Sequence, residues 1–185
     1  MQHKQLLVVI DPTQPSQPAL ERASWLARRT GAALELLLCE FNSALDAGAL
    51  FDRERVDKAR AALLAQRREW LEQLAAPLRA EGLGVSVEVR WGKPLYKMIV
   101  ERAAELRADL VLKTAHHHGL LHRLLLSNSC WQLIRYCPAP LWLVKPHGEW
   151  RAKRLAVAVD PTHEADKPPR LDHPPIAAAH TLTTP

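Results

Sequence analysis

Leu6-Leu7-Val8-Val9-Ile10-Asp11-Pro12-Thr13 is a run of five aliphatic residues stopped by Asp-Pro. An apolar run of that length, with no polar residue alternating through it, is what a strand buried on both faces of a parallel sheet requires. Proline lacks the N–H that a ladder needs, and aspartate before proline favours a turn, so the strand ends there. Outward from this stretch, Ser16 or Gln17 starts a helix that tolerates Pro18 in its first turn. Leu20, Ala23, Leu26 and Ala27 share one face of it, and Gly31 supplies its stop. Residues 34–39 read as a second strand.

Residues 41–52 read as a loop with several small side chains, and 53–78 as a long amphipathic helix. Val56, Ala59, Leu63, Trp70 and Leu74 line one face of that helix, and Pro77 ends or kinks it. Residues 85–91 alternate Val85, Val87, Val89 and Trp91 with polar partners, the pattern of a strand with one exposed face. Pro94 begins a helix with Leu95, Met98, Ile99, Ala103 and Leu106 inward. Residues 110–113 form a fourth strand. Ser127 or Asn128 caps a helix that runs to about Tyr136, and 141–145 form a fifth strand. Strands alternating with helices predict an α/β fold: a five-stranded parallel sheet covered by helices on both faces. The exposed third strand favours an edge position, hence the order 3-2-1-4-5 over 2-1-3-4-5. Connections then reverse direction between strands one and four. Ligands bind outside the carboxyl ends of strands at such a reversal, so the residues after Ile10 and after Leu112 carry the interest.

Composition narrows the class. A hydrophobic share of 48% and a charged share of 24% are ordinary for a soluble globular chain, enough to form a core without metals or disulfides. No apolar run approaches the roughly 20 residues that cross a bilayer. The opening Met1-Gln2-His3-Lys4-Gln5 lacks the apolar core of a signal peptide, so the chain is expected to be cytoplasmic. Cys39, Cys130 and Cys137 form no CxxC pair, which suits a reducing compartment. The net charge of +5 raises nucleic-acid binding. However, Arg53, Arg55, Lys58, Arg60, Arg67 and Arg68 are interleaved with Asp52, Glu54, Asp57 and Glu69, as on a solvated helix face, and nucleic acid is not the expected partner. Trp25, Trp70 and Trp131 fall on or beside inward helix faces and read as structural.

The opening stretch recurs. Leu155-Ala156-Val157-Ala158-Val159-Asp160-Pro161-Thr162 repeats the aliphatic run and the Asp-Pro-Thr, a domain's length further on. The expected organisation is one domain over residues 1–147, then a linker and the incomplete start of a second repeat over 148–185. That second part holds Pro168, Pro169, Pro174, Pro175 and Pro185, too little to bury a core, and is expected to be poorly ordered.

Asp11 after the first strand, the segment from Leu110-Val111-Leu112-Lys113-Thr114 through His116-His117-His118 to Leu124-Leu125-Leu126-Ser127, and Tyr136-Cys137-Pro138-Ala139-Pro140-Leu141-Trp142-Leu143-Val144 together resemble the universal stress protein family. The tandem opening looks most like the two-domain E-type members. The resemblance implies an adenine nucleotide alpha hydrolase-like fold and a non-enzymatic stress-response protein that acts by binding a ligand or a partner, with resistance to oxidative or DNA-damaging conditions. It also implies pairing of domains through the last strand, and therefore homodimerisation through Leu141, Trp142, Leu143 and Val144.

ATP-binding members of that family carry three glycines in a G-x2-G-x9-G-[ST] loop. Here those positions fall on Thr114, His117 and Ser127, and Asn128 takes the Ser/Thr place. Side chains there crowd a triphosphate where bare backbone would admit it, which argues against ordinary ATP binding. The degenerate nucleotide-like cleft implied by the resemblance comprises Asp11, Pro12, Thr13, Lys113, Thr114, His116, His117, Ser127, Asn128 and Ser129. Lys113 would supply charge, and the amides at Asn128 and Ser129 would offer an anion site.

His116, His117, His118 and His122 are the densest chemical feature of the sequence. On a helix His118 and His122 would share a face, and His116, His118 and His122 are a candidate set for zinc. The alternative is a polar loop over the cleft. No HExxH and no G-x-S-x-G motif is present, and no catalytic residues are expected.

Overall fold

The computed structural model describes residues 4–48, 52–115 and 128–146. Its elements run β1 (Gln5–Val9), α1 (Pro18–Thr30), β2 (Ala33–Glu40), α2 (Ser43–Gly48), α3 (Arg53–Ala80), β3 (Val85–Trp91), α4 (Leu95–Leu106), β4 (Leu110–Thr114), α5 (Asn128–Tyr136) and β5 (Leu141–Val144). The five strands form one parallel sheet in the order β3-β2-β1-β4-β5, as the alternation and the exposed third strand predict.

Period-two alternation sorts the core between the faces. Leu7, Val9, Leu37 and Val111 pack with Ile99 and Ala103 of α4 and Leu133 of α5. Leu6, Val8, Leu34, Leu36 and Leu38 are equally buried and alternate with that set, so they face the other way. Right-handed crossovers put the helices between β1, β2 and β3 on this second face, and those between β3, β4 and β5 on the first. β1 is buried along its length because it has a strand on each side and helices above and below.

Four local readings need correction. Residues 43–48 are a helix rather than loop. Asn42 Oδ1 accepts from the amides of Ala44 (3.0 Å) and Leu45 (3.2 Å), a cap that starts α2. Of the two readings of Pro77, an end or a kink, the first is wrong: α3 continues through it to Ala80. Within α3 the fully buried residues lie at its C-terminal end, Leu71, Ala75 and Leu78, while Ala59 is exposed and Val56, Leu63, Trp70 and Leu74 are half-buried. Trp131 is likewise exposed on α5, with Ile134 and Tyr136. Gly31 closes α1 at φ 70, donating its N–H to Ala27 O at 2.8 Å in a conformation that a Cβ would strain.

A charged web covers α4 where it crosses the sheet. Glu35 is only 3% exposed, and both its oxygens accept from Arg102, each at 2.6 Å. Arg102 also reaches Glu105, as does Arg90 of β3. Those two guanidinium hydrogen bonds hold the Glu105 carboxyl down to about 2. The Glu35 contact raises the Arg102 guanidinium above its ordinary value, despite partial desolvation.

Candidate functional site

At the carboxyl ends of β1, β2 and β4 a cleft of about 90 Å³ opens, lined by Val9, Ile10, Asp11, Pro12, Cys39, Leu95, Lys113 and Thr114. It sits between β1 and β4, where the winding of the sheet reverses. Strand alternation puts Val9, Cys39 and Lys113 on the α4 face, and Leu95 closes the wall from the first turn of α4.

The loop after β1 is held by short-range polar bonds. Asp11 Oδ1 accepts from the Thr13 amide at 2.8 Å and from the Thr13 hydroxyl at 2.6 Å, folding Asp-Pro-Thr into an Asx-type turn. Gln17 then pins that turn from below. Its amide nitrogen donates to Asp11 O (2.6 Å) and Gln14 O (3.0 Å), and its oxygen accepts from the Asp11 amide (3.2 Å). Gln17 is buried and makes no side-chain cap on α1, so its side chain serves the loop and not the helix.

Thr114 is committed too. Its hydroxyl accepts from the Ala19 amide at 3.3 Å, fastening the end of β4 to the first turn of α1. Lys113 is 6% exposed, and its Nζ donates to the Thr114 carbonyl at 3.0 Å. Cys39 faces the same cleft, and desolvation pushes its thiol up to about 12 even though the neighbouring Arg90 pulls the other way. It is therefore a neutral thiol at physiological pH. Burial raises the Cys137 thiol as well.

Of the residues the sequence singled out, the structure gathers Asp11, Pro12, Lys113 and Thr114 around one cleft. Thr13 is exposed and folded back on Asp11. Asn128 and Ser129 open α5 and do not line the cleft. Ser127 and the histidines 116, 117, 118 and 122 lie outside the described residues, as does the repeat over 148–185. Among the described residues, no group of three or more His, Cys, Asp or Glu side chains is gathered to hold a metal, and no helix is long and apolar enough to cross a membrane.

Sequence reading missed Gln17, Cys39 and Leu95. Cys39 and Leu95 were findable in principle: once β2 is placed beside β1, the end of β2 and the start of α4 fall at the same rim. Nothing local marks Gln17.

A family model described as the universal stress protein family matches residues 2–145, and the chain belongs to that family. Among curated relatives, Universal stress protein E of Photorhabdus laumondii is 34% identical over 143 residues, covering 77% of this chain and 46% of that protein. Universal stress protein E of Escherichia coli K12 is 30% identical over 168 residues, covering 88% and 53%. The chain thus spans about half the length of the curated relatives it matches. Among solved structures, a functionally unknown protein from Pseudomonas aeruginosa PAO1 superposes with a TM-score of 0.68 at 25% identity, covering 97% of this chain and 56% of that one. A universal stress protein solved in complex with cAMP superposes at 0.51 with 21% identity, covering 80% of this chain and 100% of that one.

Proposed function

We propose that this chain serves the stress response as a cytoplasmic, non-enzymatic binding protein, holding a small ligand in the cleft above β1 and β4. One observation carries the reading: the polar groups of the cleft are used in structure or are in the wrong state for chemistry. An Asp11 carboxylate oxygen accepts two bonds from Thr13, the Thr114 hydroxyl accepts from Ala19, and the Cys39 thiol is protonated at neutral pH. A nucleophile–base pair needs a free hydroxyl or thiol within reach of a general base. Family membership supports the stress-response role.

A nucleotide is the second reading, favoured by the neighbour solved with cAMP. ATP fits it poorly. The loop positions that are glycine in ATP-binding members are Thr114, His117 and Ser127 here. Calorimetric titration with Mg-ATP, combined with a phosphate-release assay, tests both points. The expected result is neither micromolar binding nor turnover. Tight binding with steady phosphate release would overturn the non-enzymatic reading.

Partner binding is proposed at the sheet edge. Among the described residues β5 is the last strand of the sheet, its Leu141 and Leu143 are part-buried, and Trp131 and Ile134 of α5 are exposed. Pairing of two copies there would cover an apolar strand edge. Sedimentation at tens of micromolar should report a dimer, and a clean monomer would contradict this.

A further inference from the structure

We propose that Arg68 and Arg79 of α3 guard the outer edge of β3 and keep it from accepting a strand of a second copy of this chain. β3 lies at one side of the sheet, with β2 as its only strand neighbour among the described residues. The Gly84 carbonyl accepts from the Leu34 amide at 2.8 Å, and the Gly92 amide donates to the Glu40 carbonyl at 3.0 Å. The register between those two bonds is unbroken, from Leu34 beside Val85 to Glu40 beside Trp91. Even-numbered residues of β3 therefore turn their backbone groups to β2, and Val85, Val87 and Val89 turn theirs outward. A strand rich in valine, with a free row of donors and acceptors, invites another strand.

Two of the outward carbonyls are taken. Arg79 Nε donates to the Val85 carbonyl at 2.8 Å, and Arg68 Nη1 donates to the Val87 carbonyl at 3.4 Å. Each guanidinium is also held by a carboxylate: Arg79 by Glu72 of the same helix, and Arg68 by Glu88 of β3 at 3.7 Å. Glu72 and Arg79 follow Arg68 by about one and three helical turns, so the three share one flank of α3. The planar guanidinium fork serves a carbonyl and a carboxylate together, which the point charge of a lysine does less well. The Arg68 and Arg79 side chains are 52% and 40% exposed, and exposed ion pairs stabilise a fold little. What they change is the edge itself. An added strand needs the Val85 and Val87 carbonyls for its own amides, and the two side chains stand in its path.

The test compares the full native chain with Arg68→Met/Arg79→Met, which keeps long apolar stems and removes the donors. Arg55→Met/Lys97→Met is the control: it loses the same charge and no bond to β3. Sedimentation velocity at tens to hundreds of micromolar should show self-association about tenfold stronger or more in the first variant than in the native chain or the control. Hydrogen exchange should show the outward amides of Val87 and Val89 newly protected in the associated material. If the double variant loses its cooperative thermal unfolding, Arg79→Met alone, which removes the shorter bond, is read in the same way. Association of the folded variant no stronger than that of the native chain would overturn the guard. So would equal association of the control. Association that protects the outward Leu141 and Leu143 amides of β5 and leaves Val87 and Val89 exchanging would overturn it too.

Discussion

Lys113 stands in register with Val9 across the β1–β4 ladder, a cation placed beside an aliphatic residue. Both point to the face where Leu7, Leu37, Ile99, Val111 and Leu133 form an apolar cluster. Two residues earlier on the same strands, Leu7 pairs with Val111. The pattern that builds the core thus gives way to a charge one step short of the sheet's carboxyl edge, where ligands enter folds of this winding.

Stability should respond to that charge. Lys113→Met keeps the length of the side chain and removes the buried ammonium, which among the described residues has no ion-pair partner. It is expected to raise stability by about 1 kcal/mol or more, and Tm by a few degrees, measured by thermal unfolding without ligand. A clear loss of stability would mean that the lysine is held by contacts that a thioether cannot replace.

Gln17→Ala removes three hydrogen bonds to the Asp11–Gln14 turn. It is expected to cost about 1 kcal/mol, since the backbone groups that lose their partner are only part-buried and water can replace some of the bonds. Amide exchange should quicken at Asp11 and Gln14 while the central strands stay protected. Unchanged exchange at Asp11 would show that the turn holds itself.

The sheet order was legible because β1 lacks alternation and β3 has it, so the two strands announced a central and an edge position. The switch point followed from that order, and with it Asp11 and Lys113. What stayed hidden depends on tertiary neighbours. Gln17 looks like an ordinary residue before a helix until the β1–α1 turn folds over it. Cys39 is one residue of an apolar strand until β1 lies beside it. The start of α2 escaped because Asn42 caps it within a stretch of small residues that also suits a loop.

Acid sensitivity should trace partly to α4. Hydrogen bonds from Arg90 and then Arg102 hold the Glu105 carboxyl down to about 2 in the folded chain, against an ordinary value of 4.5. The unfolded chain therefore takes up this proton first. The group's contribution is present above about 4.5 and is lost as pH falls from there through about 2. Glu105→Gln should flatten the fall of Tm across that window. An unaltered slope would show that the exposed pair is fully screened.

Thiol chemistry should be slow. With its thiol pushed up to about 12 by burial, Cys39 carries almost no thiolate near neutrality. Alkylation by iodoacetamide at about pH 8 should label Cys39 far more slowly in the folded chain than in denaturant. Peptide mapping reads this directly, and labelling at equal rates would contradict a desolvated thiol facing the cleft.

Native mass spectrometry of the protein purified from its own cells most directly tests whether the cleft above β1 and β4 is a working ligand site. A bound small molecule at one per chain is the predicted result. A bare chain would contradict it.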